Sequence, residues 1–168
     1  METTLHGLRA IAHPLRLRIL SLLTGSAMSA AEIARELADS QPNISYHLRR
    51  LHEAGLVHVE EQVTIRGGTA KRYRHDPFNS PLRARDVDDH LMVATALAAE
   101  LTRRTEQRLL GAHGSMTDAE FWVTPAAWQE FLDRLEEASS RLHAAAKTPR
   151  AAGTVHVSAT IAAFRMAP

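Results

Sequence analysis

The sequence predicts a mainly α-helical chain with a small β component, and three observations carry that prediction. Apolar residues recur at helical spacing through most of the chain, as in Ile33, Ala34 and Leu37 or Ile44, Leu48 and Leu51. Serine-led capping signals punctuate its first half, at Ser29 and Ser40. A single glycine pair, Gly67-Gly68, separates two short stretches that read as strands, as a hairpin requires.

Leu5, Leu8, Ile11 and Ala12 are spaced for an opening helix. His13-Pro14 restarts the chain, because proline suits a first helical turn. Leu15, Leu17, Ile19, Leu20, Leu22 and Leu23 then make the next helix apolar on most sides, as a central core helix is. Thr24-Gly25-Ser26 breaks it. Ser29-Ala30-Ala31-Glu32 is a capping box, so a short helix burying Ile33, Ala34 and Leu37 follows.

Asp39-Ser40 offers the next cap, with Pro42 inside the first turn of a helix over 41–53. At about 100° per residue, Ile44, Leu48 and Leu51 share its inner face. Asn43, Tyr46 and Arg50 point outward, flanked by Pro42, His47 and Arg49. Gly55 is a typical C-cap. Leu56-Val57-His58-Val59 turns towards a strand, the glycine pair reverses it, and Ala70-Lys71-Arg72-Tyr73-Arg74 returns.

Asp76-Pro77-Phe78-Asn79-Ser80-Pro81 is a break. A first module therefore spans 1–76, a linker 77–85, and a C-terminal region 86–168. That region opens with a long helix, 86–110, carrying Val87, Leu91, Ala94, Ala98 and Leu101 at alternating spacings of four and three. This heptad-like seam is expected to dimerise, because an apolar helix outside a compact module needs a partner surface; the alternative is an ordinary core face packed inside one chain. Residues 111–118 read as a loop and Phe121-Trp122-Val123 as a short strand. Thr124-Pro125 caps a helix whose face is Trp128, Phe131, Leu132, Leu135, Ala138 and Leu142. In residues 154–164, Val155, Val157, Ala159 and Ile161 fall on one side of a last strand. That strand must pair with 121–123, with another element or with a second subunit.

At 168 residues the chain can bury a real core, and 45% hydrophobic with 23% charged residues is a globular composition. It has no cysteine, which excludes disulfides, thiolate zinc sites and cysteine nucleophiles. No nucleophile elbow, phosphate-binding glycine loop or H-E-x-x-H run appears, so an enzyme is not expected. Met1-Glu2-Thr3-Thr4 lacks a basic leader and no apolar run nears ~18 residues, so a cytoplasmic protein is expected.

The net charge of +1 conceals a local pattern. From Ser40 to His52 there is no acid, but there are Arg49, Arg50 and two histidines. From Gln62 to His75 there is again no acid, with Arg66, Lys71, Arg72 and Arg74. Phosphate neutralisation depends on where cations sit rather than on their sum. A polar, cationic helix face beside a cationic ribbon suits a DNA groove and its phosphates.

Four stretches together resemble the ArsR-type winged helix-turn-helix regulators: Ala12-His13-Pro14-Leu15-Arg16-Leu17-Arg18-Ile19-Leu20, Ala31-Glu32-Ile33-Ala34, Ser40 to Leu48, and Leu51-His52-Glu53-Ala54-Gly55-Leu56-Val57. The resemblance covers about residues 5–76. It implies a homodimer with two recognition helices in successive major grooves and the wings beside them. It places Gln41, Asn43, Ser45, Tyr46 and His47 against DNA, and Arg66, Lys71 and Arg72 in the wing. The family's arsenic, cadmium and lead sensors use cysteine thiolates, which this sequence lacks. Its zinc and nickel sensors use Asp and His pairs on the helix after the wing. Asp86, Asp88, Asp89 and His90 begin that helix here, but Arg103 and Arg104 replace a second histidine pair, so no metal or cofactor is assigned.

The expected function is a dimeric, sequence-specific DNA-binding transcriptional regulator, a repressor at an inverted-repeat operator. Recognition helix 41–53 supplies Gln41, Pro42, Asn43, Ser45, Tyr46, His47, Arg49 and Arg50; wing 62–74 supplies Arg66, Gly67, Lys71 and Arg72. A small non-thiol effector would sit between helix 86–110 and Trp122, Trp128 and Phe131, unless those aromatics are plain core. The alternative is a winged-helix protein-interaction module without DNA binding, which acidic surfaces on the same elements would favour.

Overall fold

The computed structural model describes residues 11–65, 68–77 and 87–167. Helix α1 (Pro14–Gly25) starts where His13 caps it, the ring Nδ1 accepting the Leu15 N–H at 3.2 Å. Strand β1 (Met28–Ser29) leads into α2 (Ala30–Leu37). Ser29 closes the expected capping box: its hydroxyl accepts the Glu32 N–H, and the Glu32 carboxylate accepts the Ser29 N–H at 2.7 Å. Helix α3 (Gln41–Glu53) begins at Ser40, whose Oγ accepts the Asn43 N–H. Its end is sealed by Gly55 at φ 71, a left-handed conformation that suits glycine, with the Leu56 N–H returning to the Leu51 carbonyl at 2.9 Å.

Strands β2 (His58–Ile65) and β3 (Gly68–Arg74) form the expected hairpin, antiparallel from His58↔Arg74 to Ile65↔Gly68 with an irregularity between Val59 and Glu61. β1 adds to the outer side of β3, pairing Met28 with Tyr73, so the sheet order is β1-β3-β2. Two residues are too few to show alternation, and the sequence gives no sign of β1. Past the sheet, the His75 N–H bonds the Leu23 carbonyl, and its ring Nδ1–H donates to the Leu56 carbonyl at 2.6 Å. The result is a winged helix.

Ile19, Leu23, Ile33, Ile44, Leu48 and Leu51, from α1, α2 and α3, are its fully buried centre. Each is worth roughly 1.5–3 kcal/mol of burial free energy. The opening helix expected at 5–12 lies mostly outside the described residues; Ile11 joins the core.

Helix α4 (Val87–Glu106) packs on α1 through Val93, Ala96 and Glu100. Glu100 is buried but not alone: Arg103 lies 2.8 Å and Arg104 3.3 Å from its carboxylate. Burial opposes its ionisation, yet these arginines, with Arg18 of α1, hold its carboxyl below the ordinary value. Helix α5 (Pro125–Ala144) is capped by Thr124 as expected, but buries no residue fully. Two expected strands are absent. Residues 121–123 and 154–164 join no strand ladder, and Trp122, Val155 and Phe164 among them stand well exposed. Among the described residues, no helix is long and apolar enough to cross a membrane.

Candidate nucleic-acid interface

The turn between α2 and α3 sets the angle at which α3 leaves the core. Ala38 takes a left-handed conformation, φ 53 and ψ 46, and its N–H reaches back to the Ala34 and Arg35 carbonyls. Asp39 follows with its N–H on the Ala34 carbonyl at 3.0 Å, and its carboxylate receives the Ser40 N–H at 2.6 Å. Ile44, Leu48 and Leu51 then anchor one side of α3. Gln41, Pro42, Asn43, Tyr46, Arg49 and Arg50 stand exposed on the other. Tyr46 is 47% exposed despite its size.

Three expected site residues take other roles. His47 is not on the open face: it is 6% exposed, because its ring turns towards α1. There its Nδ1 accepts from Arg16 Nε at 3.1 Å, and its ring centroid lies 4.8 Å from that of His13. Burial, His13 and Arg16 hold it below the ordinary histidine value, while Asp39 acts the other way. Ser45 is half-buried at the edge of the same face.

Arg72 is the third. Its Nη2 donates to the Ala27 carbonyl at 2.5 Å and lies 3.6 Å from Glu32, while its Nε lies 3.2 Å from Glu61. The charge expected to meet a phosphate is thus engaged by two carboxylates, and the side chain ties β3 to β1 and α2. Lys71, its neighbour on β3, is exposed. Arg66 and Gly67, at the wing tip, lie outside the described residues.

Two residues of this region are not among the expected site residues. Asp39 holds the Asn43 amide, whose Nδ2 lies 3.1 and 3.2 Å from the two carboxylate oxygens. An asparagine so held has its amide nitrogen engaged by a carboxylate, whereas reading adenine uses both the amide's donor and its acceptor. Arg16 comes from α1 and lies in the electrostatic range of both Tyr46 and Arg50. Only its place next to His13-Pro14 could have suggested it.

Among the described residues, no group of three or more histidines and acids is placed to hold an ion. Asp86 and the side chains of Asp88 and Asp89 lie outside the described parts.

A capped helix–turn–helix whose second helix is polar outside and buried inside, with a β-hairpin beside it, defines the winged helix-turn-helix class. Residues 11–60 match the family model described as a helix-turn-helix domain. The chain is 38% identical over 63 residues to an uncharacterized HTH-type transcriptional regulator of Methanocaldococcus jannaschii, covering 38% of this chain and 64% of that protein. It is 43% identical over 49 residues to the transcriptional repressor SdpR of Bacillus subtilis, covering 29% and 54%. A probable mercury resistance operon repressor of Streptomyces lividans is 33% identical over 100 residues, covering 59% and 70%. The chain thus spans just over half to about two thirds of these relatives' lengths. It belongs to the ArsR-type winged helix-turn-helix transcriptional regulators, a regulatory and not an enzymatic family.

Proposed function

We propose that the chain is a dimeric, sequence-specific DNA-binding regulator that represses transcription from an inverted-repeat operator. The supporting observation is the exposed row Gln41, Asn43, Tyr46, Arg49 and Arg50 on a helix whose opposite side is fully buried. Such a helix is fixed in orientation and open only towards a groove. Arg49, Arg50 and Lys71 supply phosphate attraction; Gln41 and Asn43 read base edges; Tyr46 and Pro42 meet a thymine methyl. The winged helix is the unit 1–76, followed by linker 77–85 and a dimerisation region 86–168.

Dimerisation runs through α4, where Leu91, Ala94, Ala98 and Leu101 form an exposed stripe opposite the side packed on α1. Half-sites then fall about one helical turn apart. A regulating effector has to distinguish the DNA-competent dimer from the incompetent one by about 1–3 kcal/mol. The Streptomyces relative's name concerns mercury. This chain has no thiolate to bind so soft a metal, so its effector is of another, non-thiol kind.

Selection of bound duplexes from a random pool tests the reading. Enrichment of a palindromic sequence supports it. A pool that stays random, together with no retention of any duplex in dilute salt, rules it out.

A further inference from the structure

After α5 the chain crosses back over the winged helix. The Lys147 carbonyl lies against Gly25, where an added Cβ would sit 3.1 Å away, and Arg150 pairs with Glu36. Beside this crossing segment is a cavity of about 180 Å³. Helix α2 lines it with Glu32, Arg35 and Glu36, β3 with Arg72, and the crossing segment with Thr148 and Pro149. Ser26 and Met28, on either side of Ala27, complete it. Six of these eight residues are polar, so an apolar ligand would strand their hydrogen-bonding groups.

The polar groups are not equally served. The acids have partners: Glu32 accepts the Ser29 N–H at 2.7 Å, and Glu36 pairs with Arg150. Two donors do not. Ser26 Oγ and Arg72 Nε are buried without a hydrogen-bond partner among the described residues, although Glu61 lies 3.2 Å from the latter. Ser26 as a whole is only 8% exposed. Buried polar atoms are nearly always hydrogen-bonded, so two orphaned donors on one cavity mark a place for an acceptor. Arg35, exposed on the same cavity, adds a cation. A bare anion would satisfy these donors but would also meet Glu32 and Glu36. An anion that carries its own cation suits both signs. Size narrows the choice further: a cavity of about 150 Å³ accommodates benzene, so this one accommodates about six to ten non-hydrogen atoms.

We propose that the cavity binds a small zwitterion, a free α-amino acid. Its carboxylate takes the donors of Ser26, Arg72 and Arg35, and its ammonium group faces Glu32 and Glu36. Both orphaned donors are closed to water in this conformation, so the crossing segment yields when the carboxylate seats. The ligand then touches the first helix of the helix-turn-helix, the wing strand that carries Lys71, and the C-terminal region together. Its role as an effector rests on the regulator proposed above; its binding does not.

Calorimetric titration of the full chain with single α-amino acids tests the site, with acetate and methylammonium as one-charge controls. At least one small amino acid is expected to bind, one per chain, more tightly than either control. Ser26→Ala and Arg35→Gln are each expected to weaken that binding about fivefold or more. Ser26→Ala should leave the melting temperature unchanged or raise it, since its hydroxyl has no partner to lose. Binding of no amino acid, a control that binds as tightly, or variants that both bind like the parent overturns the site. A lowered melting temperature for Ser26→Ala also overturns it, because the hydroxyl would then already be bonded. For the effector role, a saturating amino acid is expected to change affinity for the selected duplex about fivefold or more. Unchanged affinity overturns that role. Uptake of the amino acid by a chain that retains no duplex overturns the DNA reading and leaves the site standing.

Discussion

Arg16 on α1 donates from Nε to Nδ1 of His47 on α3, at 3.1 Å. That bond crosses the helix pair that seats the recognition helix, and it exists only while His47 Nδ1 carries no proton. His13, beside it, has the same requirement, since its Nδ1 accepts the Leu15 N–H that starts α1. Burial, then Arg16, holds His13 below the ordinary histidine value, and burial, His13 and Arg16 do the same for His47.

Stability should therefore depend on pH in a defined direction. With folded-state values below the ordinary 6.5, the unfolded chain binds more protons just under that pH. The stabilisation is complete above about pH 6.5, is lost as pH falls towards the lowered values, and levels off below them. His75, shifted the same way chiefly by burial, adds to this slope. His47→Asn, which keeps an acceptor and cannot titrate, is expected to reduce the slope without abolishing it. Urea midpoints between pH 5 and 8 measure it, and an identical slope in parent and variant refutes the account.

Asp39 places a carboxylate against the amide of Asn43, at the start of the proposed recognition helix. Removing that charge while keeping a side-chain oxygen for the Ser40 N–H separates its two effects. Asp39→Asn is expected to tighten binding to all duplexes several-fold at low salt, and less as salt screens the charge. Asn43→Ala is expected to relax preference at one base pair, by roughly 1–3 kcal/mol. Fluorescence anisotropy against matched and single-mismatch duplexes checks both. Asp39→Asn binding more weakly than parent would show the carboxylate to be a needed support.

Lys71 and Arg72 are neighbours on β3 with opposite fates. Arg72 is engaged with Glu32, Glu61 and the Ala27 carbonyl, so Arg72→Met is expected to cost about 1–3 kcal/mol of folding stability. Lys71 is exposed, so Lys71→Ala should leave stability within about 0.5 kcal/mol. It should instead lower the slope of log affinity against log salt by about 0.9, one phosphate contact. Thermal melts and salt titrations of the two variants distinguish the roles. Equal loss of stability in both would contradict the assignment.

These residues also show what sequence can reveal. The period of Ile44, Leu48 and Leu51 places α3's inner face correctly, and the caps at Ser29, Ser40 and Thr124 fall where the side-chain chemistry demands. Charge pairing is less legible. The acid-free runs around α3 and β3 suggest open cations, but Glu61, just outside the second run, and Glu32, far earlier on α2, both fold onto Arg72. His47 is misleading for a similar reason: a helical wheel shows its angle but not the neighbouring helix that covers it. The strands expected at 121–123 and 154–164 have the right alternation, yet a strand forms only against a partner, which one chain does not supply.

The α4 stripe offers the last prediction. Leu91 is 64% exposed and Leu101 45%, while Ala96 and Glu100 on the opposite side are buried against the winged helix. Leu91→Asp and Leu101→Asp therefore leave the single chain's packing unchanged, and helix content and melting temperature should be close to those of the parent. In a dimer joined through this stripe each would bury an unpaired carboxylate, a cost of several kcal/mol that shifts the equilibrium to monomer. Binding to an inverted repeat should then fall far more than binding to a single half-site, because one recognition helix keeps its contacts and loses its tethered twin. Sedimentation velocity with both duplexes measures this. Intact dimers in both variants would exclude α4 as the interface.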